Sequence, residues 1–124
     1  MKTEEEVLNL NNPWDSYWYC FNNKDTANIK AHEQIILYSK NIDITYCLVF
    51  AMHISGVDIQ AFEEVIINSG DIEACLIFAK DIKGSNKQRL SEAVLASGNL
   101  DYIKAFYNNI DFDKTKYERL LLFI

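Results

Sequence analysis

The spacing of apolar residues between Asp71 and Gly98 predicts two successive α-helices. In the first, apolar side chains recur every three or four positions, at Ile72, Cys75, Ala79 and Ile82. Asp71 precedes this run as a helix N-cap would. The segment "KGSN" then breaks the pattern, and Asn86 precedes a second run that continues to Ser97. Gly98 follows where helices commonly end in a left-handed residue, so the segment reads as a helix pair.

The same pattern recurs along the chain with a period of 28 residues. "NSGDIEACLIFAKDI" begins at Asn68, and "ASGNLDYIKAFYNNI" begins at Ala96. Alignment at this period gives four shared apolar columns: Ile44, Ile72 and Leu100; Cys47, Cys75 and Ile103; Phe50, Phe78 and Phe106; Ile54, Ile82 and Ile110. A period of this size is typical of supersecondary units that stack into a solenoid, and the aligned residues are the predicted core.

The repeat extends upstream with small changes of spacing. "HEQIILYSKNI" from His32 matches "FEEVIINSGDI" from Phe62. "NNPWDSYWYCF" begins as a helix should, with Asn12 as its N-cap and Pro13 in its first turn. We therefore expect one all-α domain over residues 1–124, an α-solenoid of antiparallel helix pairs. Its four repeats span about 13–40, 41–70, 71–98 and 99–124, after a leading helix at 3–10 whose Thr3 and Glu6 form a capping box.

The net charge of −6 arises in the middle third of the chain. Residues 41–79 contain six acids and no Lys or Arg, whereas the flanking segments nearly balance. Such a field repels nucleic acid and favours basic partners, although it also serves solubility alone. The adjacent Glu63 and Glu64 are expected on a solvated helix face, or, second, in a partner-facing patch with Asp58.

Candidate chemistry is sparse. The three cysteines contain no CxxC pair and read as buried thiols, and the two histidines, His32 and His53, read as ordinary polar residues near helix ends. No phosphate-binding, dinucleotide-binding or nucleophile-elbow motif is present. We therefore expect no catalytic residues, no metal and no cofactor.

The first predicted repeat carries an aromatic segment, "PWDSYWYCF". Four of its side chains fall on one helical stripe, at Trp14, Tyr17, Trp18 and Phe21. One interpretation is a bulky lid that closes the first repeat. The other is a binding surface, because Trp and Tyr are enriched at interface hot spots. Tyr19 lies off the stripe and is the expected exposed contact.

The sequence "YERLLLFI" ends in five apolar residues, Leu120 to Ile124. Five consecutive residues cover about 400° of helix rotation, more than one packing surface can bury. We therefore expect Phe123 and its neighbours to contact a partner or to form a two-fold homodimer.

The pattern in "AVLASGNLDYIKAFYNNI" resembles helical repeats found in proteins of phages and low-GC bacteria. The resemblance implies an interaction scaffold and offers no catalytic residues. The predicted function is non-enzymatic binding of another protein, through Asp58, Glu63, Glu64, Tyr19 and Phe123. The alternative is a phage-encoded acidic inhibitor of a host defence nuclease, similar to an anti-CRISPR protein that mimics nucleic acid.

Localisation follows from the N-terminal residues and the apolar runs. "KTEEEV" is acidic where a secretory signal needs an apolar stretch, and the longest apolar run, "CLVFAM", is too short to cross a bilayer. We expect a cytoplasmic protein, in the host cytoplasm if a phage encodes it, with no membrane and no direct nucleic-acid contact.

Overall fold

A computed structural model describes residues 2–40 and 43–123, and within them all regular secondary structure is helical. The all-α prediction is therefore confirmed. The helices are α1 (Glu4–Leu10), α2 (Pro13–Asn22), α3 (Ile29–Leu37), α4 (Ile44–His53), α5 (Ile59–Ser69), α6 (Ile72–Asp81), α7 (Lys87–Ser97), α8 (Leu100–Asn109) and α9 (Thr115–Leu121). Asn41 and Ile42, which begin the second predicted repeat, and Ile124, which ends the apolar C-terminal run, lie outside the described residues.

Side-chain caps fix where the helices begin. Thr3 and Glu6 form the predicted capping box of α1. Asn12 accepts hydrogen bonds from the first-turn amides of α2, Asp71 caps α6, and Asn86 caps α7, all as predicted. Each cap satisfies backbone N–H groups that have no partner inside the helix.

Two glycines allow the sharp turn between consecutive helices. Gly98 ends α7 with φ 70°, and Gly70 follows α5 with φ 74°. A side chain is disfavoured in this left-handed conformation, so glycine is the residue that fits here. The predicted interruptions at Gly70–Asp71 and Gly98–Asn99 are therefore present.

The chain divides into two compact units, Met1–Val65 and Ile66–Ile124, called below the N-terminal and C-terminal units. In the N-terminal unit, α2 packs against α1, α3 and α4. The ring of Phe50 in α4 stacks on Phe62 at 5.6 Å between centroids. In the C-terminal unit, α6, α7 and α8 all contact one another. Phe112 and Tyr117 pack edge to face at 4.8 Å and close its core over Phe106.

The aligned columns of the repeat prove to be the core. Three of the four columns are buried at every position: those that contain Cys47, Phe50 and Ile54. The first column is less buried, and Leu100 within it is exposed. The helical period thus identified the inward positions correctly except at this edge.

A recurring hydrogen bond joins each of three helices to the start of the next helix but one. In α1, the Glu4 carboxylate accepts from the backbone N–H of Asn28, the N-cap of α3, at 2.7 Å. In α3, Glu33 accepts from the N–H of Asp58, just before α5, at 3.3 Å. We call these bonds, together with the C-terminal one below, the loop clamps.

The third loop clamp lies in the C-terminal unit. Gln88 in α7 accepts from the N–H of Asp113 at 3.0 Å, and its amide group donates to the Asp113 carbonyl. Thr115 donates twice to the Asp113 carboxylate, and these bonds hold the pKa of Asp113 below its ordinary value. Since each clamp binds backbone rather than a side chain, it fixes where a helix begins.

Replacing Phe78 by alanine should lower the free energy of unfolding by about 3–5 kcal/mol, because a fully buried ring is deleted. Urea denaturation followed by circular dichroism measures the change. The matched control, Leu122→Ala, removes an exposed side chain and should change stability by less than about 0.5 kcal/mol. A loss below about 1 kcal/mol for Phe78→Ala would show that this column does not form the core.

Removing the Glu33 clamp should cost about 1.5–3 kcal/mol, the range for hydrogen bonds to charged groups. The Glu33→Ala variant leaves the Asp58 N–H without its acceptor in a partly buried position. Gln34→Ala, the exposed neighbour on α3, is the control and should be nearly neutral. Equal stability of the two variants would show that the clamp contributes nothing.

Candidate protein-binding surface

Helix α2 presents a row of partly exposed aromatic rings. Trp14, Trp18 and Phe21 keep 50%, 38% and 37% of their surface accessible. Their rings touch edge to face, with centroids 5.4 Å apart for Trp14 and Trp18 and 5.5 Å for Trp18 and Phe21. This geometry is favoured by ring quadrupoles, so the three side chains support one another. We call these three residues the aromatic surface.

Helix α4 supports the aromatic surface from one side. Tyr46, near the start of α4, contacts Trp14 at 5.8 Å between ring centroids, and His53, at its end, contacts Phe21 at 6.2 Å. The buried Tyr17 hydroxyl shares a hydrogen bond with His53 Nδ1 at 2.8 Å. Burial raises the pKa of Tyr17. The two helices therefore run side by side in the same direction and hold the rings in fixed positions.

A lid over the first repeat would bury the whole aromatic stripe. Within that stripe only Tyr17 is buried, so the lid interpretation applies to Tyr17 alone. Tyr19 is less exposed than expected, and its role as a partner contact stays a prediction. Its ring is half-buried and stacks on the imidazole of His32 at 5.3 Å, with 21° between the planes. Tyr19 points away from the stripe, as its position on the helix requires, but α3 lies on that side.

The aromatic surface belongs to the more acidic of the two units. Neither α2 nor α4 contains a Lys or Arg. The N-terminal unit as a whole has ten acids and four bases, a net charge of −6, whereas the C-terminal unit has eight of each. One cation does approach, since Lys24 Nζ lies 4.6 Å from the centroid of the Phe21 ring. The rings thus face solvent within a unit that attracts positive charge.

A cleft of about 370 Å³ adjoins Trp18 on the side facing α1. Asp15, Tyr19 and two asparagines from the end of α2 line it, with Lys2 and Val7 from the segment of α1. The cleft combines aromatic rings with a carboxylate and amide groups.

A second cleft, of about 410 Å³, lies in the C-terminal unit beside Tyr107 and Leu122.

Behind the cleft lies a buried polar network that the sequence did not predict. The Glu4 carboxylate accepts from His32 Nε2 at 3.0 Å, and His32 Nδ1 lies 3.0 Å from the Ser16 hydroxyl. Because a carboxylate only accepts, Nε2 carries the proton, and in the neutral ring Nδ1 accepts from Ser16. Three helices are tied together by this chain of bonds.

The Ser16–His32–Glu4 order has the residue types of a hydrolase triad. Both Ser16 and His32 are completely buried, so no substrate carbonyl can reach the hydroxyl. The network acts instead as a structural link that holds α1 against α2 and α3. His32 is the fourth residue of α3, near a helix end as expected, but its complete burial and its place in this network were not expected.

The predicted acidic patch is only partly at the surface. Glu63 is 2% exposed, which contradicts its placement on a solvated face. It follows Ile59 by four residues and precedes Ile66 by three, so it lies on the inward stripe of α5. Asp58 is exposed, but its carboxylate accepts from the N–H of Ala61 and caps α5. Glu64 is exposed as expected.

The C-terminal apolar run is exposed where the structure describes it. Leu122 and Phe123 are 80% and 89% accessible, and Leu121 is intermediate. Tyr117 is the buried residue of α9, and its hydroxyl donates to the carbonyl of Ser91. The last helix is therefore anchored by its first half and leaves Phe123 exposed, and the partner contact expected at Phe123 stays a prediction.

Cys20, Cys47 and Cys75 are buried thiols that form no disulfide, as predicted. Burial, with a smaller effect of the Glu4 carboxylate, raises the pKa of Cys20 to about 12. Burial, followed by Asp43, raises the pKa of Cys47 to about 11. These thiols therefore stay protonated at neutral pH. Across residues 2–40 and 43–123, no three His, Cys, Asp or Glu side chains are grouped as metal ligands.

Comparison with known proteins identifies no relative: no family, curated protein or solved structure matches this chain. Among the described helices, none is long and apolar enough to cross a lipid bilayer. The surfaces described above therefore carry the functional inference by their chemistry alone.

Alkaline pH should destabilise the fold through the buried thiols. The pKa values of Cys20 and Cys47 rise from 9.0 to about 12 and about 11 on folding, so the folded state holds these protons more tightly. The stabilisation is complete below about pH 9 and is lost as pH rises toward 11 and 12. Melting temperatures measured from pH 7 to 11 should fall more steeply for the wild type than for Cys20→Ala.

The comparison with Cys20→Ala isolates the thiol, because Tyr17 and Tyr117, whose pKa values burial also raises, are present in both proteins. The Cys20→Ala variant is expected to have a lower melting temperature than the wild type at pH 7. Its melting temperature should then fall by less between pH 7 and 11. Parallel pH profiles for the two proteins would contradict the assignment.

Proposed function

We propose that this chain is a non-enzymatic protein-binding module that uses the aromatic surface of the N-terminal unit as its contact. The observation that carries this proposal is the exposure of Trp14, Trp18 and Phe21 in one supported row. Aromatic residues of this kind supply large contact area at low cost in side-chain entropy, and they are enriched at hot spots.

The module is inferred to be an α-solenoid of four helix pairs. Parallel packing of α2 beside α4, with α3 between them in sequence, is the arrangement expected of consecutive repeats. The loop clamps recur with a separation of 24 residues for Glu4 and Asn28, and of 25 for the other two pairs. Helix α1 takes part in the first clamp as α3 and α7 do in theirs, so it belongs to the proposed array.

A cytoplasmic, cofactor-free role suits the rest of the chain. Small buried thiols without disulfides are ordinary in a reducing compartment. The one arrangement that resembles a hydrolase triad is closed to substrate, which favours binding over catalysis. Exposed Leu122 and Phe123 support a second contact, a homodimer or partner interface, at the end of the chain.

The alternative is an acidic inhibitor that imitates nucleic acid, and it keeps some support. The N-terminal unit carries the whole net charge of −6. Yet Asp43, Asp58 and Asp71 cap helices and Glu63 is buried, so most acids of the 41–79 segment already have structural roles. An aromatic contact to a basic protein accounts for the exposed rings, whereas nucleic-acid mimicry does not.

Site-specific photocrosslinking in cells of the source organism tests the proposal. Benzoylphenylalanine replaces Phe21 on the aromatic surface, or Tyr38, which is 71% exposed but outside this surface, as the matched control. We expect a discrete crosslinked protein from position 21 and none from position 38. A Trp14→Ala substitution in the same chain should remove the crosslink, because it deletes the most exposed of the three rings.

Equal crosslinking from positions 21 and 38, or none from either, would contradict the aromatic surface as the contact. If the yield of crosslinked product falls with Glu64→Lys but is unchanged by Trp14→Ala, the contact depends on the exposed acids. That result would favour the acidic inhibitor.

A further inference from the structure

We propose that the cleft beside Trp18 binds an arginine side chain of the partner protein. The inference rests on the proposed function and gives the partner its chemistry. Asp15, Trp18 and Tyr19 line the cleft, which therefore offers a carboxylate next to two aromatic rings. A guanidinium group is the side chain that uses both, since it is planar, stacks on rings and pairs with a carboxylate through two N–H groups.

The carboxylate of Asp15 is available for such a pair. Within the part of the chain that the structure describes, it forms no ion pair and accepts no hydrogen bond, and the backbone N–H of Asp15 is bound by Asn12. Asp15 lies in the first turn of α2, where the helix dipole favours its charge. A cation is therefore attracted to a group that no other side chain neutralises.

The rings beside the cleft already receive a cation. Lys24 Nζ lies over Phe21, and Phe21 packs against Trp18. Indole is the best aromatic acceptor of a cation, and Trp18 keeps more than a third of its surface exposed. The intramolecular lysine occupies the far end of the row, which leaves the indole of Trp18 for a partner.

Charge complementarity identifies the occupant as part of a basic protein. The N-terminal unit has a net charge of −6, which attracts arginine-rich segments and repels phosphate groups. Among the described residues that line the cleft, Lys2 is the basic one, and its charge repels a guanidinium group. Two asparagines at the end of α2 supply carbonyl oxygens that accept from the remaining guanidinium N–H groups.

Titration with short capped peptides tests this site on the intact chain. The first peptide has one arginine between two leucines, and the others replace it by citrulline, lysine or glutamate. Citrulline has the shape of arginine without its charge. The chain contains two tryptophans, so the indole N–H signals in a ¹H–¹⁵N spectrum report Trp14 and Trp18 separately, once Trp14→Phe has assigned them.

The arginine peptide should shift the Trp18 signal with saturation, and citrulline should bind about tenfold more weakly or worse. Asp15→Asn should weaken the arginine peptide by about tenfold, whereas Asp25→Asn, an exposed acid outside the cleft, should leave it unchanged. Lysine should bind about two- to fivefold more weakly than arginine, and Lys2→Ala should strengthen arginine binding by a similar factor.

Several results would overturn the site: equal binding of citrulline and arginine, equal effects of Asp15→Asn and Asp25→Asn, saturable binding of the glutamate peptide, or no shift of Trp18. The outcome is separable from that of the proposed function. A partner crosslinked at position 21, lost in Trp14→Ala and unaffected by Asp15→Asn, would keep the aromatic surface and remove the arginine site.

Discussion

The described helices are seven to eleven residues long, which is too short for any of them to be stable alone in water. Each must bury an apolar face on its neighbours and must begin at the correct residue to do so. The loop clamps meet this second requirement. Glu4 and Glu33 bind the backbone N–H groups that open α3 and α5, and Gln88 binds the one before α9. Each loop clamp therefore holds two helices together and also fixes the residue at which α3, α5 or α9 begins.

The first clamp also explains the position of α1 and the buried network. Glu4 accepts from both Asn28 and His32, so one carboxylate holds α1 to the start and the interior of α3. His32 is also hydrogen-bonded to Ser16 in α2, and the Tyr19 ring stacks on its imidazole. Because these inward groups of α2 are fixed by polar contacts, its remaining rings are left on the outer face. The aromatic surface is therefore a consequence of how the first three helices are tied together.

The proposed function rests on the contrast between the two sides of α2. On its inner side, Ser16 and Tyr17 form hydrogen bonds to His32 and His53. Elsewhere the helix exposes aromatic rings, and the Asp15 carboxylate lines the cleft without an ion pair in the described part of the chain. A surface of this composition, in a unit that carries the whole net charge, suits a basic protein with apolar and arginine side chains. The proposed contact needs no cofactor and no chemical step.

The sequence by itself determined the helices, their caps and most of the core. The 28-residue period placed Phe50, Phe78 and Phe106 inside, because helical spacing and burial are both local consequences of the apolar pattern. The exposed Phe123 also followed from an apolar run wider than one packing face.

Only the tertiary structure decided which polar residues turn inward. Glu63 aligns with Glu33 in the repeat and with Ser91 at the 28-residue period, and all three side chains are buried. The alignment was visible in the sequence. A glutamate is nevertheless expected in solvent unless its buried neighbours are known. The Glu4–His32–Ser16 network and the cleft at Asp15 and Trp18 join residues from separate helices. Local spacing cannot predict such contacts, since they depend on how short helices pack in three dimensions.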